Sequence, residues 1–73
     1  MHSVRGIVSG VQEGRFRLVA DDGRVMSFVL SHKASAEPQD LPPLAARAAP
    51  VWISYSDSPH LIACVAHRVE IEE

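Results

Sequence analysis

A single cysteine, Cys64, stands in 73 residues. No disulfide framework can form within the chain, and a zinc ribbon built on several thiolates is excluded. Aromatic residues are scarce: two Phe, one Trp and one Tyr. There is no excess of basic charge either. Seven Lys/Arg stand against nine Asp/Glu, a formal net charge of -2, so the chain as a whole is not a basic clamp for nucleic acid. No apolar run approaches the roughly 20 residues of a membrane-spanning helix. The opening Met1–Gly6 has no apolar core of a secretory signal, and a lone reduced thiol without such a signal predicts a cytoplasmic protein with no membrane partner. Phosphate-binding loops, dinucleotide glycine motifs and paired carboxylates do not occur. Repeats and low-complexity segments are also missing.

What remains is the composition of one soluble globular domain over residues 1–73, 47% hydrophobic and 22% charged. A chain of this length buries only about 60% of its unfolded surface. It has no volume for a deep ligand pocket of several hundred Å³. The charge is unevenly spread. Residues 1–33 carry Arg5, Arg15, Arg17, Arg24 and Lys33 against Glu13, Asp21 and Asp22, a net of +2. Residues 34–73 carry two arginines against six acidic residues, a net of -4. This asymmetry predicts a polarised surface.

Alternation of apolar and polar residues, with turn signals between the runs, predicts strands. The first spans 3–9, where Gly6 reads as a bend or bulge, and a loop follows over Gly10–Gly14. The second strand spans 15–20, with Phe16, Leu18 and Ala20 on one face and Arg15, Arg17 and Val19 on the other. Asp21-Asp22-Gly23 is a hairpin signal, since glycine accepts positive φ without a Cβ clash. The third strand, 24–30, sets Met26, Phe28 and Leu30 on one face. Alternation then stops. Asp40–Ala48 reads as a short helix with Asp40 as N-cap, prolines in its first turn, an apolar stripe of Leu41, Leu44, Ala45 and Ala48, and Pro50 as its stop. A fourth strand follows over 51–56, with Trp52 out of phase with Val51, Ile53 and Tyr55. Asp57–His60 reads as a turn. The fifth strand is placed over 61–72, with Val65, His67, Val69 and Ile71 sharing a face. The order predicts an all-β fold, a five-stranded OB-fold Greek-key barrel with a short helix between strands 3 and 4. Phe16, Leu18, Phe28, Leu44, Ile53, Val65 and Val69 form its expected core.

Gly6-Ile7-Val8, Glu13-Gly14, Asp21-Asp22-Gly23 and Phe28-Val29 together resemble the layout of bacterial cold-shock domains over about the first 33 residues. That resemblance implies an OB-fold and binding of single-stranded nucleic acid. Cold-shock domains stack bases on aromatic side chains of the second and third strands. Here Arg15 and Arg17 stand at the second-strand positions, and the alternation of Phe16 and Phe28 points both inward.

The residues that could recognise a ligand are therefore basic. Arg15, Arg17 and Arg24, with Arg5 beside them, make a positive patch on the hairpin, and guanidinium groups pair with phosphates and stack on bases. The alternative is a solvated outer face neutralised by Glu13, Asp21 or Asp22. Trp52, facing outward, is an interface candidate. His60, Cys64 and His67 are a poor metal set, because residues three apart on a strand face opposite ways. Asp57, Ser58 and His60 hold the residue types of a hydrolase triad but sit in one turn, where no separate elements orient them. The expectation is a non-catalytic module without metal or cofactor that binds single-stranded DNA or RNA weakly through Arg5, Arg15, Arg17 and Arg24. The alternative is a protein-interaction module or homodimer that uses Trp52 and exposed strand surface.

Overall fold

The computed structural model describes residues 1–57 and 63–72. Five strands close into a barrel: β1 (His2–Gln12), β2 (Arg15–Ala20), β3 (Val25–Leu30), β4 (Pro50–Ser56) and β5 (Cys64–Ile71). Their order around the barrel is β1-β2-β3-β5-β4, with β4 returning to β1. All neighbours are antiparallel except β3 and β5, which pair in parallel over three residues. A 3₁₀ turn (Pro38–Asp40) leads into the one α-helix of the described residues, α1 (Leu41–Arg47), between β3 and β4. This is the expected five-stranded barrel with its helix in the expected place, compatible with an OB-fold. No helix among the described residues is long and apolar enough to cross a membrane.

The core follows the alternation of the strands. Phe16, Leu18 and Ala20 of β2 are buried, as are Phe28 and Leu30 of β3 and Val51 and Ile53 of β4. Phe16 and Phe28, opposite each other in register, stack with centroids 5.3 Å apart, and Tyr55 meets Phe28 edge-on. Such offset and edge contacts suit the ring quadrupole. α1 packs against β1 and buries Leu41 and Leu44.

Bulges account for the main departures from simple alternation. β1 runs to Gln12 because the register shifts between Val8 and Gly10, leaving Ser9 as the extra residue. Gly10, Val11 and Gln12 therefore belong to the strand rather than to a loop, and the turn is Glu13–Gly14, with Glu13 at φ 57°. Gly6 is not a bulge. It is the point where β1 lies so close to β2 that a Cβ would meet the Val19 carbonyl oxygen at 2.3 Å. On β5 the register skips His67, since Ser54 pairs with Arg68 and Tyr55 with Ala66. The inward phase flips at that point. Ala66 is fully buried and takes the core position expected of Val65, which is only half-buried, while Val69 still packs against the core.

Asp40 stands at the N-cap position of α1 as expected, but its side chain makes no cap hydrogen bond to that helix; its carboxylate instead accepts the Glu37 amide at 2.9 Å, in a capping box on the preceding 3₁₀ turn. The other end of the helix differs from expectation. Ala48 leaves the apolar stripe. It adopts a left-handed conformation, φ 49°, that ends the helix, and Pro50 opens β4. The expected turn over Asp57–His60 and the start of the expected fifth strand at 61–62 lie outside the described residues, Asp57 excepted.

Candidate nucleic-acid interface

Strand alternation leaves β2 with Arg15, Arg17 and Val19 on the outside. Register then sets the rows that cross the outer sheet face. Gln12, Arg15 and Val29 form one row, and Gly10, Arg17 and Ser27 the next. Small residues on both sides of Arg17 leave a groove of about 520 Å³ that crosses the outer face from Gln12 to Ala63 and is lined by both arginines. A second depression of about 640 Å³ shares Gln12, Arg15 and Val29 and extends to His32, Glu37 and Pro38. The shared residues make Arg15 the hinge point between the two.

The four candidate arginines separate into two pairs. Among the described residues no carboxylate lies within ion-pair distance of Arg15 or Arg17. The expected alternative of neutralisation by Glu13, Asp21 or Asp22 does not occur there. Arg5 and Arg24 lie at the opposite end of the hairpin. Arg5 donates from Nη1 to both carboxylate oxygens of Asp21, at 3.0 and 2.8 Å, and from Nε to Glu72. Glu72 and then Asp21 hold its guanidinium above its ordinary pKa. Arg24 Nε donates to Asp22 Oδ2 at 2.6 Å, and the Arg24 amide donates to Asp22 Oδ1 at 3.0 Å. These bonds, the amide foremost, hold the Asp22 carboxyl below its ordinary value. The expected cluster of Arg24 with Arg15 and Arg17 therefore does not form, because the Asp22-Gly23 turn supplies its own counterion. The Arg5–Glu72 pair also ties the basic half of the chain to the acidic half and reduces the expected polarity of the surface.

The aromatic side chains are placed as their phases predict. Phe16 and Phe28 are buried, at 3% and 1% exposure, and offer no stacking platform. Trp52 faces outward at 44% exposure, between Arg5 of β1 and Glu70 of β5.

The bulge at His67 creates one contact that alternation alone does not reveal. His67 Nε2 lies 2.7 Å from Ser56 Oγ. It follows from the register of β5 against β4, which the sequence of β5 alone does not display. Among the described residues no carboxylate is bonded to His67, so the third member that fixes an imidazole in a hydrolytic triad is missing there. Cys64 is half-buried and its thiol lies 3.5 Å from Asp57 Oδ1. Desolvation first, then that carboxylate, pushes its pKa up, the opposite of a reactive thiolate. No group of three metal-ligating side chains occurs among the described residues. His60, the remaining member of the metal and triad sets, lies outside them.

No protein-family model matches the chain, and no curated protein matches it. The likeness to cold-shock domains rests on the residues quoted for it.

Proposed function

We propose that the chain is a non-catalytic binding module that takes single-stranded nucleic acid on the outer face of β1, β2 and β3. The observation that carries this reading is the pair Arg15 and Arg17, unpaired among the described residues and lining one groove. That groove lies on the strand 2–3 face which OB-folds use for oligonucleotides. Two residues apart on a strand, the two side chains point the same way, about 6.8 Å apart along it. Each guanidinium can take a phosphate through two parallel hydrogen bonds or stack on a base. With the phenylalanines buried, stacking falls to the arginines alone. Binding is then led by the backbone and tolerant of sequence, with a Kd on the order of 10⁻⁴–10⁻⁶ M. Glu13 and Glu37 line the second depression. Their charge repels phosphates, which favours a strand path over Arg17 toward Ala63.

Fluorescence anisotropy of labelled single-stranded DNA and RNA at two salt concentrations tests the reading. Two phosphate contacts give a log–log salt slope of about -1.4, from about -0.7 for each contact. The Arg15→Ser/Arg17→Ser variant should lose most of the affinity and flatten the slope while its circular dichroism stays that of the barrel. Absence of wild-type binding at low salt, or binding that is indifferent to the double substitution, overturns it.

A further inference from the structure

Between the basic row and the ion-paired end of the hairpin, the outer face carries a row that alternation does not call for. Ile7, Val19 and Val25 are direct cross-strand neighbours, and Pro50 continues the row beyond Ile7 onto β4. Ile7 and Val19 are 39% exposed and Val25 63%. The solvent face of an antiparallel sheet ordinarily carries polar residues at such positions. Four apolar residues across four adjacent strands form a continuous patch, the kind that marks an interaction surface. Its occupant is indicated by the charges beside it. Arg17 lies two residues before Val19 on β2, about 6.8 Å along the strand, and Asp21 lies two residues after it, in the turn that follows β2. Opposite charges thus flank the apolar centre.

We infer that this face pairs with a second copy of the chain, about a two-fold axis lying along the apolar row. Rotation about that axis reverses the strands and keeps the row in place. Val19 meets Val19 of the second copy, Ile7 meets Ile7, and Val25 meets Val25. Arg17 comes over Asp21 of the second copy, and the converse pair forms by symmetry, which is the self-complementarity an isologous interface requires. Gly10, which has nothing within 4 Å of its Cβ position, falls opposite Arg5 and leaves room for that side chain. Asp21 already accepts from Arg5, but a carboxylate has about four lone-pair sites and can take a second donor. Trp52, next to Arg5 in register, stands at the border of the patch. Three rows over a few strands make less than the usual interface of about 800 Å² per partner, so the dimer is weak and dependent on concentration. The inference is independent of nucleic-acid binding, although both occupants use Arg17.

Sedimentation of the full chain from about 10 μM to about 1 mM, a range that spans weak affinities, provides the test. The weight-average mass of wild type should rise from one chain toward two. Arg17→Glu and Asp21→Lys should each weaken association more than about tenfold, because each sets like charges face to face. An equimolar mixture of the two variants should recover it, since both contacts become attractive again. The double variant Arg17→Glu/Asp21→Lys should also recover it alone, since both contacts are again attractive, and circular dichroism of Asp21→Lys shows whether loss of the Arg5–Asp21 pair leaves the barrel folded. Val19→Asp should abolish association with the barrel intact by circular dichroism. A wild type that stays monomeric throughout overturns the inference, as does association that persists in Val19→Asp. Failure of both the mixture and the double variant to recover dimer overturns the two-fold arrangement.

Discussion

Gly6→Ala is the substitution by which the barrel geometry is most directly tested. β1 serves two neighbours, β2 along one edge and β4 along the other. At Gly6 it comes so close to β2 that a Cβ would lie 2.3 Å from the Val19 carbonyl oxygen and 2.9 Å from Ala20 Cα. Carbon–oxygen contacts between strands normally fall at about 3.3–3.6 Å, so the overlap is about 1 Å. The obstructing atoms are backbone and held in register, and no side chain can rotate away. Overpacking of a side chain costs about 1–3 kcal/mol, and a clash against backbone belongs at the upper end or beyond it. The gain from a stiffer unfolded chain, about 0.4–1 kcal/mol, offsets only part. A net loss of about 2–3 kcal/mol is a large share of the roughly 4–11 kcal/mol expected for a domain of this size. At about 4–8 °C per kcal/mol, the melting temperature should fall by about 10–20 °C. Gly10→Ala and Gly14→Ala, with nothing within 4 Å of either Cβ position, serve as controls and should melt within a few degrees of wild type. Gly23→Ala, at φ +91°, should lose about 1–2 kcal/mol through backbone strain alone. Thermal and urea melts of the four variants decide the matter. A Gly6→Ala protein that melts with the Gly10 and Gly14 controls would refute the close approach of β1 to β2.

Two further outcomes follow from the core and the hairpin. Leu18→Ala should cost about 2–5 kcal/mol in urea unfolding, because Leu18 is fully buried and its loss leaves a cavity; a cost under about 1 kcal/mol would remove it from the core. The Asp22 carboxyl is held below its ordinary value of 3.8 by the Arg24 amide and guanidinium. A depressed folded pKa contributes stability that is present above the unfolded value and lost as pH falls through the folded one. Melting temperature measured from about pH 6 down to about pH 2 should therefore show an acid loss that is smaller in Asp22→Asn; equal pH profiles for the two proteins would show that the Asp22 cap contributes nothing.

Which parts of the molecule could be read from the sequence depends on whether the information is local. The hairpin of β2 and β3 is legible because Phe16, Leu18, Ala20, Phe28 and Leu30 alternate without interruption and Asp22-Gly23 closes the turn. The helix is legible through Leu41 and Leu44, and the outward placement of Trp52 through the phase of its neighbours. What escapes is set by pairing. The bulges at Ser9 and His67 have no signature in single-strand alternation, since they exist only in the register of one strand against another. They are the reason that β1 extends to Gln12, that Ala66 replaces Val65 in the core and that His67 reaches Ser56. The partners of the arginines escape for the same reason. Arg5 and Glu72 are 67 residues apart, and nothing in their sequence surroundings distinguishes Arg5 from Arg17.

That difference between the arginines bears on function more than their number does. A guanidinium bonded to two carboxylates, as Arg5 is, has its donors committed within the fold, and a phosphate would have to displace a carboxylate to reach it. Arg24 is in the same position with Asp22. Arg15 and Arg17 meet no such competitor among the described residues. The ligand proposed for them and the second copy proposed for the neighbouring apolar row differ in how steeply they respond to salt. Phosphate contacts weaken steeply as salt rises, because counterion release drives them. Burial of Ile7, Val19 and Val25 depends little on ionic strength, and only the Arg17–Asp21 contacts of the dimer are screened. If both readings hold, a nucleic acid displaces the second copy from Arg17 at low salt, and at high salt the apolar row keeps the two chains together. If only one holds, Arg17 follows a single trend with salt, and the steepness of that trend identifies which occupant the face was built for.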